Sequence, residues 1–168
     1  MGFELDAFLG KTSELLTWSG QLPSAVVCEL GGDLAMVPVT GKLHGELRAR
    51  LGVEEANRLD ASRPRTHPSP SYEEAVLRWG AEASAATLVA FVSVGEFGNQ
   101  SHEEATLWSS GRKILFRVGL KAVLSHFRDQ GHLDLGGRPI DTELERYRGQ
   151  DAAEKWAAAR SLGIDRVP

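Results

Sequence analysis

The sequence lacks most features that announce chemistry, export or membrane insertion. It has a single cysteine, Cys28, in 168 residues. An internal disulfide is therefore excluded, and a reducing cytoplasm suits the chain. No apolar run approaches the roughly 18 residues that span a bilayer, so no membrane partner is expected. The start, MGFELDAFLGK, lacks the basic opening and long apolar core of a secretory signal. It also lacks the Ser or Thr that a myristoylation site carries at its sixth position. Basic residues are not in excess: 19 Lys and Arg stand against 23 Asp and Glu, a net charge of −4. A nucleic-acid binder usually presents a basic face, because phosphate contacts dominate its affinity. No nucleic-acid partner is expected.

Glycine is plentiful, yet neither G-x-x-x-x-G-K-[ST] nor G-x-G-x-x-G occurs, so no phosphate-cradling loop is visible. A G-x-S-x-G elbow, an HExxH helix, a paired CxxC and a calcium-type Asp/Asn loop are all missing too. No cofactor is expected from these patterns.

What is present is an ordinary globular composition, 42% hydrophobic and 25% charged, which argues against wholesale disorder. The length suits one domain over 1–168. FELDAFLG (3–10) reads as a first strand, and SELLTWSGQL as a short helix capped by Thr12 or Ser13. SAVVCEL and LAMVPV, joined by Gly31-Gly32-Asp33, read as a hairpin. Pro38 donates no ladder hydrogen bond, so that strand lies at an edge or ends there. Leu43, Leu47 and Leu51 recur at helical spacing after Thr40. The proline-rich stretch 60–70 reads as an exposed loop. Ser71 and Glu74 form a capping-box pattern ahead of a helix over 72–84.

TLVAFVSV (87–94) is apolar on both faces, which predicts a central strand covered on each side. EATLW and KILFRV flank Ser109-Ser110-Gly111-Arg112 as a second hairpin. Leu120, Val123, Leu124 and Phe127 share a helical face, and 119–168 reads as a helical C-terminal part. It includes a turn at HLDLGGRP, a short helix at IDTELERYRG and an Ala-rich helix at 151–164. The order of elements predicts an α+β domain with a mixed or mainly antiparallel sheet, two hairpins, and helices between and after the strands.

The chemistry-bearing residues concentrate in GEFGNQSHEE. Glu96, Phe97, His102, Glu103 and Glu104 sit where a strand meets a loop, a plausible address for acid–base groups or a binding surface. Gly95 and Gly98 explain the corner without chemistry, since they permit a bulge or positive φ. As a strand, SHEE sends Glu103 and Glu104 to opposite faces; as a helix start, its acids favour the helix dipole. His126, Asp129, His132 and Asp134 offer metal-type donors in H-x-x-D-x-x-H-x-D, the first two sharing a helical face. Cys28, inside AVVCEL, reads as a buried thiol. Arg138, Arg146 and Arg148 mingle with Glu143 and Glu145 and read as a solvated surface. Trp18, Trp79, Trp108 and Trp156 fall in predicted helices and strands and read as core.

The segments FELDAFLG…AVVCELGGDLAMVPVT and LVAFVSVGEFGNQSHEEATLWSSGRKIL resemble a family of small uncharacterised bacterial α+β proteins. The likeness covers about two thirds of the chain and departs at 119–138 and in the Ala-rich tail. It implies the fold and the unity of the domain, and it implies no activity.

These readings favour a non-catalytic protein-binding domain, of the bacterial immunity or inhibitor type that neutralises a cognate toxin. The acidic corner at 96–104 and the 60–70 loop are the expected surface, with acids steering encounter with a basic partner. The alternatives are a small metal-assisted or acid–base hydrolase using His126, Asp129, His132 and Glu96 or His102, and a structural subunit of a larger assembly. The oligomeric state does not follow from the sequence.

Overall fold

In strand β1 (Phe3–Lys11) apolar side chains occupy both sides of the backbone. Ala7 and Leu9 face one way and Phe8 the other, and all three are fully buried. A strand of this kind needs cover on both faces. The rest of the architecture supplies it, in a computed structural model that describes residues 3–31, 33–62, 68–97 and 100–131.

Helix α1 (Thr12–Ser19) follows directly, and then the hairpin of β2 (Cys28–Gly31) and β3 (Leu34–Pro38). Helices α2 (Gly41–Ala49), α3 (Val53–Asp60) and α4 (Pro70–Ala83) lead to β4 (Leu88–Phe97). β5 (Gln100–Ser109), β6 (Arg112–Val118) and helix α5 (Leu120–Asp129) complete the described chain. The strands form one six-stranded sheet in the order β2-β3-β1-β4-β5-β6, and every pairing is antiparallel. The fold is α+β, as the order of elements predicts.

Helices α1, α2 and α4 cover one face, packing Leu15, Leu43, Leu47, Val76 and Trp79 on Phe8, Val37 and Val89. Helix α5 packs on β4, β5 and β6 at the other face, where Leu120, Val123, Leu124 and Phe127 join Ala90 and Leu107 in a core that runs on to Leu9 and Met36. β4 is central, as its two apolar faces predict. Cys28 is fully buried. Trp79 anchors the first layer, 4.1 Å from the Phe8 ring and edge-on to Trp18 at 4.8 Å. Trp108, also buried, lies against Gly80 of α4, where an added Cβ would come within 2.8 Å of the indole.

Several elements differ from the sequence reading, each for a local reason. β3 lies between β2 and β1, so of the two expectations for Pro38 the strand end holds and the edge does not. Of the leucine stripe, Leu43 and Leu47 lie in α2 and Leu51 in the turn after it, and Gly52 at φ 84° separates α2 from α3. The first helix takes no side-chain cap, since Lys11 occupies the cap position. The cap of α4 is Ser69, not Ser71: Ser69 Oγ accepts from Tyr72 N–H and Pro70 takes the first helical position. SAVVCEL becomes a strand only from Cys28. Of the two readings of SHEE the strand holds and the helix start does not, since it lies within β5.

Pro68 and the ends Ala61 and Ser62 of the 60–70 stretch are exposed. The readings for HLDLGGRP, IDTELERYRG and 151–164, with His132, Arg138, Glu143, Glu145, Arg146, Arg148 and Trp156, lie outside the described residues. No helix among the described residues is long and apolar enough to cross a membrane.

Candidate functional site

The residues that the sequence singles out sit on the long β4–β5 hairpin. Glu96 and Phe97 end β4 opposite Ser101 and Gln100; their side chains lie outside what the structure describes. His102 is exposed on β5, its Nε2 3.4 Å from Ser93 Oγ. Alternation separates the next two acids. Glu103 turns to the α5 side and accepts the Leu120 N–H at 2.7 Å. Gly119, at the N-cap of α5, has no side chain to cap that helix, so Glu103 supplies the cap from another strand. Glu104 turns to the α4 side and accepts from Arg117 Nε at 2.8 Å. That hydrogen bond and its charge raise the Arg117 guanidinium above its ordinary range. Both acids are therefore engaged within the molecule.

His126 and Asp129 are exposed on α5, across the sheet from the β5 face that carries His102. The described members of the proposed hydrolase set are not brought together. Among the described residues no group of three or more His, Cys, Asp or Glu side chains is placed to hold a metal ion.

Beside these acids the edge strand β6, RKILFRV, presents a different surface. Its pairing with β5 shifts register twice, between Ala105 and Leu107 and between Leu107 and Trp108. Such shifts are bulges, which re-aim side chains. Leu115 and Val118 still pack into the α5 core. Lys113 sits opposite Trp108, on the α4 side, with its Nζ 4.0 Å over the Phe116 ring. Arg117, at φ 53°, reaches Glu104 on that same side. Phe116 is 52% exposed and Ile114 44%. A tight turn at Ser110 and Gly111, both with positive φ, closes the hairpin. Its tip is fixed to the end of α4 by Gly111 N–H donating to Ser84 O at 3.2 Å. The result is an aromatic flanked by cations on a firmly held strand, an arrangement that fits a protein hot spot.

A second polar cluster, which no sequence pattern announces, lies where β1, α2, α3 and α4 meet. Tyr72 Oη donates to Asp6 Oδ2 at 2.6 Å. The His44 ring stands edge-on to Tyr72 at 4.7 Å. Asp6 Oδ1 and His44 Nε2 are buried and have no hydrogen-bond partner among the described residues. Burial, and then Arg48, push the His44 imidazole below its ordinary pKa, while Asp60 and Asp6 pull it back less strongly. Asp60 accepts the Ser71 hydroxyl at 2.7 Å and pairs with Arg48. The Ser71 hydroxyl bond is the main cause that holds the Asp60 carboxyl below the usual range. The cluster ties three helices to β1. Only the tertiary fold brings Asp6 to Tyr72, 66 residues on.

Comparison with protein-family models, curated proteins and solved structures finds no match for this chain.

Proposed function

We propose that the chain is a non-catalytic protein-binding domain, an inhibitor of the kind that neutralises a cognate toxin in a bacterial cytoplasm, and that it docks through the outer face of the β5–β6 hairpin. The observation that carries this reading is the exposure of Phe116 and Ile114 on one strand whose neighbours in β5 are buried. A lone exposed apolar residue is ordinary. Two on one strand, with Lys113 stacked on the aromatic and Arg117 beside it, form a patch of the composition that binding energy favours. Fixing the hairpin tip and burying Trp108 beneath it hold the patch in one shape, which lowers the ordering cost of association.

Among the described side chains of the 96–104 corner none is a large apolar group, whereas Phe116 and Ile114 are exposed on β6, and the expected surface is therefore β6. The test is co-expression with the product of the adjacent gene, comparing the native chain with Phe116→Asp. Co-purification with the native chain and its loss in the variant supports the reading. A partner retained equally by both, or no complex with either, counts against it.

A further inference from the structure

We infer that the partner of the β6 face is a protein segment carrying acidic side chains around an apolar residue, gripped by side chains and not by strand addition. This rests on the protein-binding reading above and adds the partner's chemistry. Residues 112–118 contain Arg112, Lys113 and Arg117 and no acid, in a chain whose net charge is −4. The strand is thus a local run of cations on an acidic molecule, and an acidic partner would be steered to it. Among the described residues neither Arg112 nor Lys113 has a carboxylate partner. Arg117 does, but its pair with Glu104 leaves the two side chains 58% and 42% exposed. An exposed pair of this kind contributes little, so an incoming carboxylate exchanges for Glu104 at small cost. Phe116, with Ile114 close by in the strand, supplies the apolar contact between these charges.

The same features argue against the other occupants. A second copy added in the centred antiparallel register would set Lys113 opposite Arg117, like charge on like. The two register shifts and the edge lysine interrupt the row of backbone groups that strand addition uses. A nucleic acid also favours cations around an aromatic, but Phe116 is the one aromatic of this strand and the molecule as a whole is acidic.

The experiment is a backbone amide NMR titration of the full chain with three probes: a peptide alternating Glu and Leu around a central Phe, its Lys-for-Glu counterpart, and a uridine homo-oligonucleotide. The expected result is that the acidic peptide shifts the amides of 112–117. Its affinity should fall about tenfold in the double variant Arg112→Glu, Lys113→Glu. Native-like spectra of that variant show that folding is intact, since both residues are exposed. Equal or tighter binding of the Lys peptide overturns the partner's chemistry and leaves the protein-binding reading standing. Tighter binding of the oligonucleotide overturns both. Concentration-dependent shifts of 112–117 without any probe mean a second copy and overturn the inference. Absence of shifts with the acidic peptide overturns it as well, while the co-expression test decides the broader reading independently.

Discussion

The sheet is flanked by two hairpins that look alike in sequence and behave oppositely in structure. Both join apolar runs through a glycine-containing turn. In the β2–β3 hairpin every residue of β3 is buried, with Leu34 and Met36 in one core and Ala35 and Val37 in the other. In the β5–β6 hairpin only Leu115 and Val118 of β6 pack inward, and the rest of the strand is exposed. The difference is position. β3 has a strand on each side, with α1 packed on one face and Leu34 and Met36 fully buried on the other, whereas β6 has one neighbour and α5 on one face. Composition adds to it: LAMVP carries no charge and RKILFRV carries three cations. Apolar side chains inside the first hairpin stabilise the fold; those outside the second are free to serve recognition.

The comparison breaks most sharply under truncation. Leu34→Ala in the buried hairpin is expected to cost about 2–5 kcal/mol, as buried leucines do, read from urea unfolding. A loss under about 1 kcal/mol would mean that β3 packs more loosely than its burial implies. Gly80→Ala tests the seat of the exposed hairpin. Alanine gains about 1 kcal/mol of helix propensity, but its Cβ would meet the Trp108 ring at 2.8 Å. Overpacking costs about 1–3 kcal/mol, so a net loss is expected, with changed Trp fluorescence. A stabilised variant would show that Trp108 is not tightly held. Glu103→Ala removes the only side-chain cap of α5 among the described residues, and a loss of about 1 kcal/mol is expected. Glu103→Gln should restore part of it.

The pH dependence separates the interior cluster from the β6 surface. The groups facing His44 are Asp6 from β1, Arg48 on α2, Asp60 from α3 and Tyr72 from α4. Its folded pKa lies below the ordinary histidine value, so the unfolded chain takes up the proton first. Stability is therefore full near neutral pH and declines as pH falls through the ordinary histidine range. Asp60, also lowered, adds a further decline at lower pH, through and below the aspartate range. His44→Leu is expected to flatten the first decline and leave the second. An unchanged slope between pH 7 and about 5 would remove His44 from the account.

Much of this was legible in the sequence. Two-sided apolar character identified β4 as central, the Ser-Gly turn gave the β5–β6 hairpin, and the spacing of Leu120, Val123, Leu124 and Phe127 gave the buried face of α5. Alternation along a strand separates Glu103 from Glu104. Their roles were not legible, because the Leu120 amide and the Arg117 guanidinium reach them only after β6 and α5 fold back. Periodicity does not show bulges, so the turning of Lys113 and Phe116 to one side was hidden. The Asp6–Tyr72 bond was hidden for the same reason of distance along the chain.

The most direct test of the central claim is a paired reading of Phe116→Asp: its urea midpoint and its retention of the co-expressed partner. A surface residue predicts a stability change within about 0.5 kcal/mol together with loss of the complex. A midpoint that falls as a core substitution would, or a complex that survives unchanged, would contradict the assignment of the β6 face as the docking surface.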